Sequence, residues 1–130
     1  MLPIGAKGKA ETTVTEEMTA LSVGSGEARV LATPIMAALM EKAAQDSVKP
    51  CLEEGKTTVG TMLSIRHLSA TPVGMRAWAE SEVTAVSENG KMITFALKAF
   101  DEKGLIGEGT HERAVVHLQR FQEKTDAKKL

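Results

Sequence analysis

The sequence predicts an α+β domain in which one long central helix lies against a curved antiparallel sheet of about five strands. Three observations carry that expectation. A single apolar stretch of helical length, Thr33 to about Lys49, has a start and a stop signal; the chain from Lys56 to Leu118 alternates with a period of two; and Asn89-Gly90 and Asp101-Glu102-Lys103-Gly104 fold that β region back on itself. An apolar helix and a one-faced sheet each need a cover, and packing one on the other supplies both.

In chain order, Met1 to Lys9 holds Pro3, Gly5 and Gly8 without a period, so residues 1–9 are expected to be a loose lead-in. From Glu11 to Ala20, Val14, Glu16, Met18 and Ala20 alternate with threonines and Glu17, which predicts a first strand. Gly24-Ser25-Gly26 breaks the chain. Thr33 is then expected at the N-cap and Pro34 at the first helical position; Pro50 stops the helix and Glu53-Glu54-Gly55 turns it.

In the β region, Val59, Thr61, Leu63, Ile65 and His67 share one face of a strand, and Thr58, Gly60, Met62, Ser64 and Arg66 the other. Met75 to Val86 follows a bend at Ala70-Thr71-Pro72-Val73-Gly74. Asn89-Gly90 is a tight-hairpin signature because both residues accept positive φ. Lys91 to Phe100 returns, and Leu105 to Leu118 is the last strand, its phase disturbed around Gly107 and Gly109 as by a bulge.

The chain has 130 residues, within the usual span of a single domain (1–130), and its 16 basic and 17 acidic residues leave a formal net charge of -1. No basic block is dense enough to follow a phosphate backbone, so no nucleic-acid partner is expected. Lys124, Lys128 and Lys129 mark residues 124–130 as a solvated tail. Lone Cys51 excludes an internal disulfide and reads as a small packing residue. No apolar run is long enough to span a membrane and no leader pattern opens the chain, so the expected location is cytoplasmic, without a membrane partner.

One residue stands out. Glu41 interrupts the apolar helix, its helical neighbours being Ala37, Ala38, Ala44 and Gln45. A carboxylate in that position is exposed to solvent, paired, at the rim of a cavity, or used chemically.

Three phrases narrow the choice: Val30-Leu31-Ala32-Thr33-Pro34 running into Leu39-Met40-Glu41; Val59-Gly60-Thr61 followed by His67 and Ala70-Thr71-Pro72-Val73-Gly74; and Gly107-Glu108-Gly109-Thr110-His111-Glu112-Arg113-Ala114. In this order and spacing, over residues 11 to 123, the chain resembles the fluoroacetyl-CoA thioesterase-like family of hotdog-fold proteins.

The resemblance implies hydrolysis of an acyl-CoA thioester without a metal, coenzyme A entering only as part of the substrate and no other cofactor taking part. It implies Thr33, Glu41 and His67 as catalytic residues, with the backbone at Gly60 near the acyl carbonyl. Glu41 would serve as general base or nucleophile, His67 would orient it and relay a proton, and Thr33 would fix Glu41 or a water. Taken without the resemblance, Thr33 is an ordinary cap, His67 a satisfied core histidine and Gly60 a bulge or a close helix approach.

His111 and Arg113 belong to the third phrase. Alternation separates them from Glu112, and they are expected in a structural or dimer contact, or against CoA. His117 and Trp78 read as packing or interface residues. Residues 19–33 contain no Phe, Trp or Tyr, so fluoroacetyl selectivity is not implied. The resemblance also implies a homodimer as the minimum unit. Two other functions share this frame: an enoyl-CoA hydratase-type enzyme, and a non-catalytic module binding acyl-CoA or another small ligand.

Overall fold

A computed structural model describes residues 2–129; Met1 of the expected lead-in and Leu130 of the expected tail lie outside the described residues. Its strands are β1 (Lys7–Thr13), β2 (Lys56–His67), β3 (Arg76–Val86), β4 (Met92–Asp101) and β5 (Gly104–His117), and its helices are α1 (Ala20–Val23), α2 (Thr33–Val48) and α3 (Leu118–Asp126). All neighbours pair antiparallel in the order β1-β3-β4-β5-β2. Thus β1 and β2 are the two edges.

The fold is the expected α+β hotdog arrangement, with α2 lying across the concave face. Its buried residues Met36, Met40, Ala43, Ala44 and Val48 meet Ala10, Ala77, Ala79, Val83, Ile93, Phe95 and Leu97 of the sheet. Small side chains dominate β1 and β3, where the helix sits closest. Gly8 shows why: a Cβ there would run into the Ala43 carbonyl oxygen and lie 2.8 Å from Ser47 Cβ.

That contact also corrects two expectations. The first strand is Lys7–Thr13 rather than Glu11 to Ala20, and residues 7–9 of the expected lead-in belong to it. Gly8 is there because the helix backbone leaves no room for a side chain, not because the chain turns. The residues after β1 instead form a 3-10 turn (Glu16–Met18) and short α1, where Thr19 Oγ1 accepts from Ser22 N at 3.2 Å. At the other end, α3 occupies residues 118–126, so the expected tail begins inside a helix.

The hairpin after β3 is also less tight than expected. Only Gly90 has positive φ (72°), and the loop closes by Gly90 N donating to Ser87 O at 2.8 Å and Ser87 N to Met92 O at 2.9 Å. Asn89 turns its amide oxygen to Lys91 N, 3.0 Å away, instead of adopting the left-handed conformation. Near Gly107 the expected bulge is present: Ala99 pairs with Gly107 but Phe100 with Leu105, leaving Ile106 as the extra residue.

A second irregularity matters more. Gly60 pairs with Arg113 and Met62 with Glu112, so Thr61 is an extra residue in β2. Beyond it the phase of the strand inverts, and Thr58 and Gly60 lie on the same concave face as Leu63, Ile65 and His67. Simple alternation had put Gly60 and His67 on opposite faces.

Candidate active site

Beside the β2 edge, the residues singled out by sequence fall into two groups. The first gathers at Gly60. A methyl group at that position would lie 2.9 Å from Glu41 Oε2, 3.3 Å from His111 Cε1 and 3.6 Å from Arg113 Nη1. The carboxylate therefore leaves its alanine neighbours and leans across the missing side chain of Gly60 toward a cation, with Arg113 Nη1 at 3.9 Å. Glu41 keeps 42% of its side-chain surface exposed, while Arg113 keeps 6%.

Arg113 is held from behind. Its Nε donates to Thr58 Oγ1 at 2.8 Å, and Nη2 donates to Thr58 O at 2.9 Å and reaches Gln45 Oε1 at 3.5 Å. Nη1 donates to His111 Nε2 at 3.2 Å. A guanidinium has donors only, so His111 Nε2 is an acceptor and the proton sits on Nδ1, which donates to Met62 O at 2.7 Å. Burial pushes the His111 imidazole below its ordinary range, against the pull of the Met62 carbonyl, which agrees with that neutral form.

The second group gathers at the N-terminus of α2. Thr33 Oγ1 and His67 Nδ1 are hydrogen-bonded at 2.8 Å. Thr33 is not the N-cap: that position belongs to Ala32, whose carbonyl accepts from Met36 N at 3.0 Å. The hydroxyl is engaged by the imidazole instead. Among the described residues His67 Nε2 is buried without a hydrogen-bond partner, and burial holds this imidazole below its usual range, the Ser69 backbone acting the other way. A cleft of about 330 Å³ opens here, lined by Thr33 and His67 with Ser25, Leu31 and Ala70.

Within one protomer the two groups stand apart. Thr33 and Glu41 are separated by eight residues of helix, about 12 Å along its axis. Gly60 and His67 are separated along β2 by about 20 Å. Thr33 is therefore brought to His67 and Gly60 to Glu41, but Glu41 is not brought to His67 of its own chain. The proximity of Arg113 to Glu41 was not expected from sequence; once the Thr61 bulge is placed, cross-strand pairing of Gly60 with Arg113 points to it.

The remaining candidates lie elsewhere. His117 caps α3, accepting from Arg120 N at 3.4 Å. Trp78 sits on the outer sheet face against Phe100, with Lys9 and Arg76 over its ring. Cys51 is exposed in the turn after α2 rather than packed, because Pro50 carries the chain out of the helix before it reaches the core. Among the described residues no three His, Cys, Asp or Glu side chains form a metal-binding group, and no helix is long and apolar enough to cross a membrane.

The sequence model of the fluoroacetyl-CoA-specific thioesterase family matches residues 14–119. Fluoroacetyl-CoA thioesterase of Streptantibioticus cattleyicolor is 38% identical over 99 residues, 76% of this chain and 70% of that protein. A solved structure of the fluoroacetyl-CoA thioesterase FlK superposes with a TM-score of 0.90 at 30% identity, covering 98% of each chain. A thioesterase superfamily member from Thermus thermophilus superposes with a TM-score of 0.82, also at 30% identity and 98% coverage of both.

Proposed function

Because the chain belongs to the fluoroacetyl-CoA-specific thioesterase family, we propose that it hydrolyses a small or medium acyl-CoA thioester to the free acid and CoA, without a metal, at a site shared between two protomers. The observation that carries this reading is the split of the site: an acid over Gly60 and a Thr33-His67 pair at the far end of the same edge strand. Among the described residues nothing pairs with the outer edge of β2. An antiparallel copy seated there about a two-fold axis through Ser64 sets Leu63 against the partner's Ile65 and keeps the concave faces continuous. The same register carries the partner's His67, with its unpartnered Nε2, to the bulge at Gly60 and Thr61.

The chemistry then follows from position. A bulge releases backbone groups from the ladder, and Gly60 lets the thioester carbonyl approach them without a side chain in between. Glu41 removes a proton from the attacking water or attacks the carbonyl itself. When Glu41 acts as base, the imidazole of the partner subunit's His67, oriented by Thr33 of that subunit, takes up the proton that Glu41 removed from the water and delivers it to the departing thiolate, which returns both the carboxylate and the neutral ring; when Glu41 attacks the carbonyl, the thiolate leaves as the anhydride forms and the water that then opens the anhydride supplies that proton. The fluoroacetyl-CoA thioesterase relatives support the reaction class, and a solved relative holds fluoroacetate and CoA. The Gly24-Ser25-Gly26 flank of the cleft carries no aromatic side chain, which favours acyl groups other than fluoroacetyl.

Thiol release from acetyl-, isobutyryl-, hexanoyl- and phenylacetyl-CoA tests the activity. Turnover of at least one is expected. Tight binding of all with hydrolysis of none would identify a binding module instead. Gly60→Ala supplies a sharper probe: the added methyl must displace the Glu41 carboxylate, and kcat is expected to fall by about 10- to 100-fold while the thermal midpoint barely moves. An unchanged kcat in a folded Gly60→Ala protein would remove the carboxylate at Gly60 from the reaction.

A further inference from the structure

Among the described residues one carboxylate is buried, and the proposed reaction gives it no task. Asp101 ends β4 with 5% of its surface exposed. A carboxylate taken out of water is costly unless its oxygens are bonded, and both of these are. Oδ1 accepts from Lys103 N at 2.8 Å, within the β4–β5 turn, and Oδ2 accepts from Thr71 Oγ1 at 2.8 Å. The first bond is ordinary turn chemistry. The second reaches 30 residues back along the chain to a fully buried threonine in the segment after β2.

Thr71 stands at a junction. Pro72 after it favours extended backbone at Thr71; Thr71 O accepts from Leu31 N at 2.9 Å, and Pro72 bridges to Val30. On their other side residues 30–32 are held by Ala20 N donating to Val30 O and Ala32 N donating to Met18 O, each at 2.9 Å. Thr33 follows Leu31 by two residues, and His67 precedes Thr71 by four. The two backbones that carry the Thr33-His67 hydrogen bond are therefore joined a second time at Leu31 and Thr71. The β4–β5 hairpin grips one of them twice: Ile106 O accepts from Leu68 N at 2.7 Å and Ser69 N at 3.2 Å, and Asp101 takes the Thr71 hydroxyl.

His67 needs that support. Its Nδ1 meets Thr33 Oγ1, and among the described residues its Nε2 has no partner. A ring held at one nitrogen points where the two backbones on either side of that bond are placed. We propose that Asp101 is a positioning residue for the Thr33-His67 pair, acting through the Thr71 hydroxyl and the Thr71-Leu31 backbone bond to fix the N-terminus of α2 against the end of β2. The inference rests on the reading of that pair as the proton-relaying part of the site. A carboxylate serving the turn alone would need neither burial nor Thr71.

The experiment compares Thr71→Val, Thr71→Ser and Asp101→Asn in the full chain, each alone and combined with Thr33→Ala. The thermal midpoint is measured for every protein, and kcat and KM on the acyl-CoA turned over fastest in the panel above. Thr71→Val keeps the shape and removes the hydroxyl; kcat is expected to fall about 10-fold with KM changed less than about threefold, because orientation and not substrate affinity is lost. Thr71→Ser restores the donor and is expected to recover most of that loss. Asp101→Asn keeps an acceptor for Lys103 N but sets an amide N–H against the hydroxyl, and is expected to lose about fivefold. In the Thr33→Ala background Thr71→Val is expected to cost no further kcat, although the thermal midpoint falls equally in both backgrounds.

Parental kcat in a folded Thr71→Val protein, with Thr33→Ala slow, would overturn the proposal and leave the Thr33-His67 reading standing. So would an equal kcat loss in both backgrounds, the mark of a residue that only holds the fold together. A rise in KM at constant kcat would assign the loop to substrate binding and overturn the proposal too. Full activity of Thr33→Ala would overturn the reading of the pair and the role of Asp101 together. Should Thr71→Val fail to fold, Asp101→Asn decides by the same comparison: a kcat loss that vanishes in the Thr33→Ala background supports the proposal, and any other result refutes it.

Discussion

Glu41→Gln is expected to lower kcat by about 10³-fold while leaving the fold and acyl-CoA binding intact. The amide has the shape of the carboxylate but neither removes a proton nor attacks a carbonyl. Structure suffers little from the change, since Glu41 is 42% exposed and its ionic contact to Arg113 is 3.9 Å long. Arg113 keeps its bonds to Thr58 and His111 in the variant, so no buried cation is stranded without acceptors. Rate measurement on the acyl-CoA panel, with ligand binding followed by calorimetry, checks this. Near-normal turnover in a folded Glu41→Gln protein would refute the proposed chemistry.

The largest effect on stability is expected where α2 presses on β1. Gly8→Ala places a methyl group against the Ala43 carbonyl oxygen and within 3.0 Å of Ser81 Oγ, and the obstacle includes backbone of α2 and not only the end of a flexible side chain. The helix or β1 must move. Overpacking of this kind costs about 3 kcal/mol, a large share of the roughly 10 kcal/mol that holds a domain together. The thermal midpoint is expected to drop by about 10 °C. A midpoint within about 2 °C of the parent would mean that α2 does not press on β1 as closely as described.

Those two positions also show what the sequence does and does not disclose. The helix was legible because a largely apolar stretch of helical length lies between Thr33-Pro34 and Pro50, and the last four strands because alternation is local. The first strand was not. Gly8 is a turn former by local rules, and only the helix backbone above it explains why a strand residue has no side chain. Likewise Asn89-Gly90 marks a turn, but the Asn89 amide reaching Lys91 N decides its geometry.

At the site, the residue types were visible in the three phrases and their arrangement was not. One inserted residue, Thr61, inverts the phase of β2 and turns Gly60 to the same face as His67. No period in the sequence announces it beyond a glycine inside a strand. The contact of Thr33 with His67 and of Glu41 with Arg113 joins residues 34 and 72 positions apart, and depends on how α2 is seated over the sheet. Glu41 looked enclosed by alanines because a helical wheel shows only its own helix.

The shared site is best tested by mixing two inactive proteins. Glu41→Gln and His67→Ala each disable every site in their own dimers. In a mixed dimer, one of the two sites receives an intact acid from one chain and an intact imidazole from the other. After subunits are exchanged by co-expression, with mixed dimers verified by mass spectrometry, random pairing is expected to restore about a quarter of the parental activity. Verified mixed dimers with no activity would show that acid and imidazole must come from one chain, and would contradict the site drawn across the β2 edge.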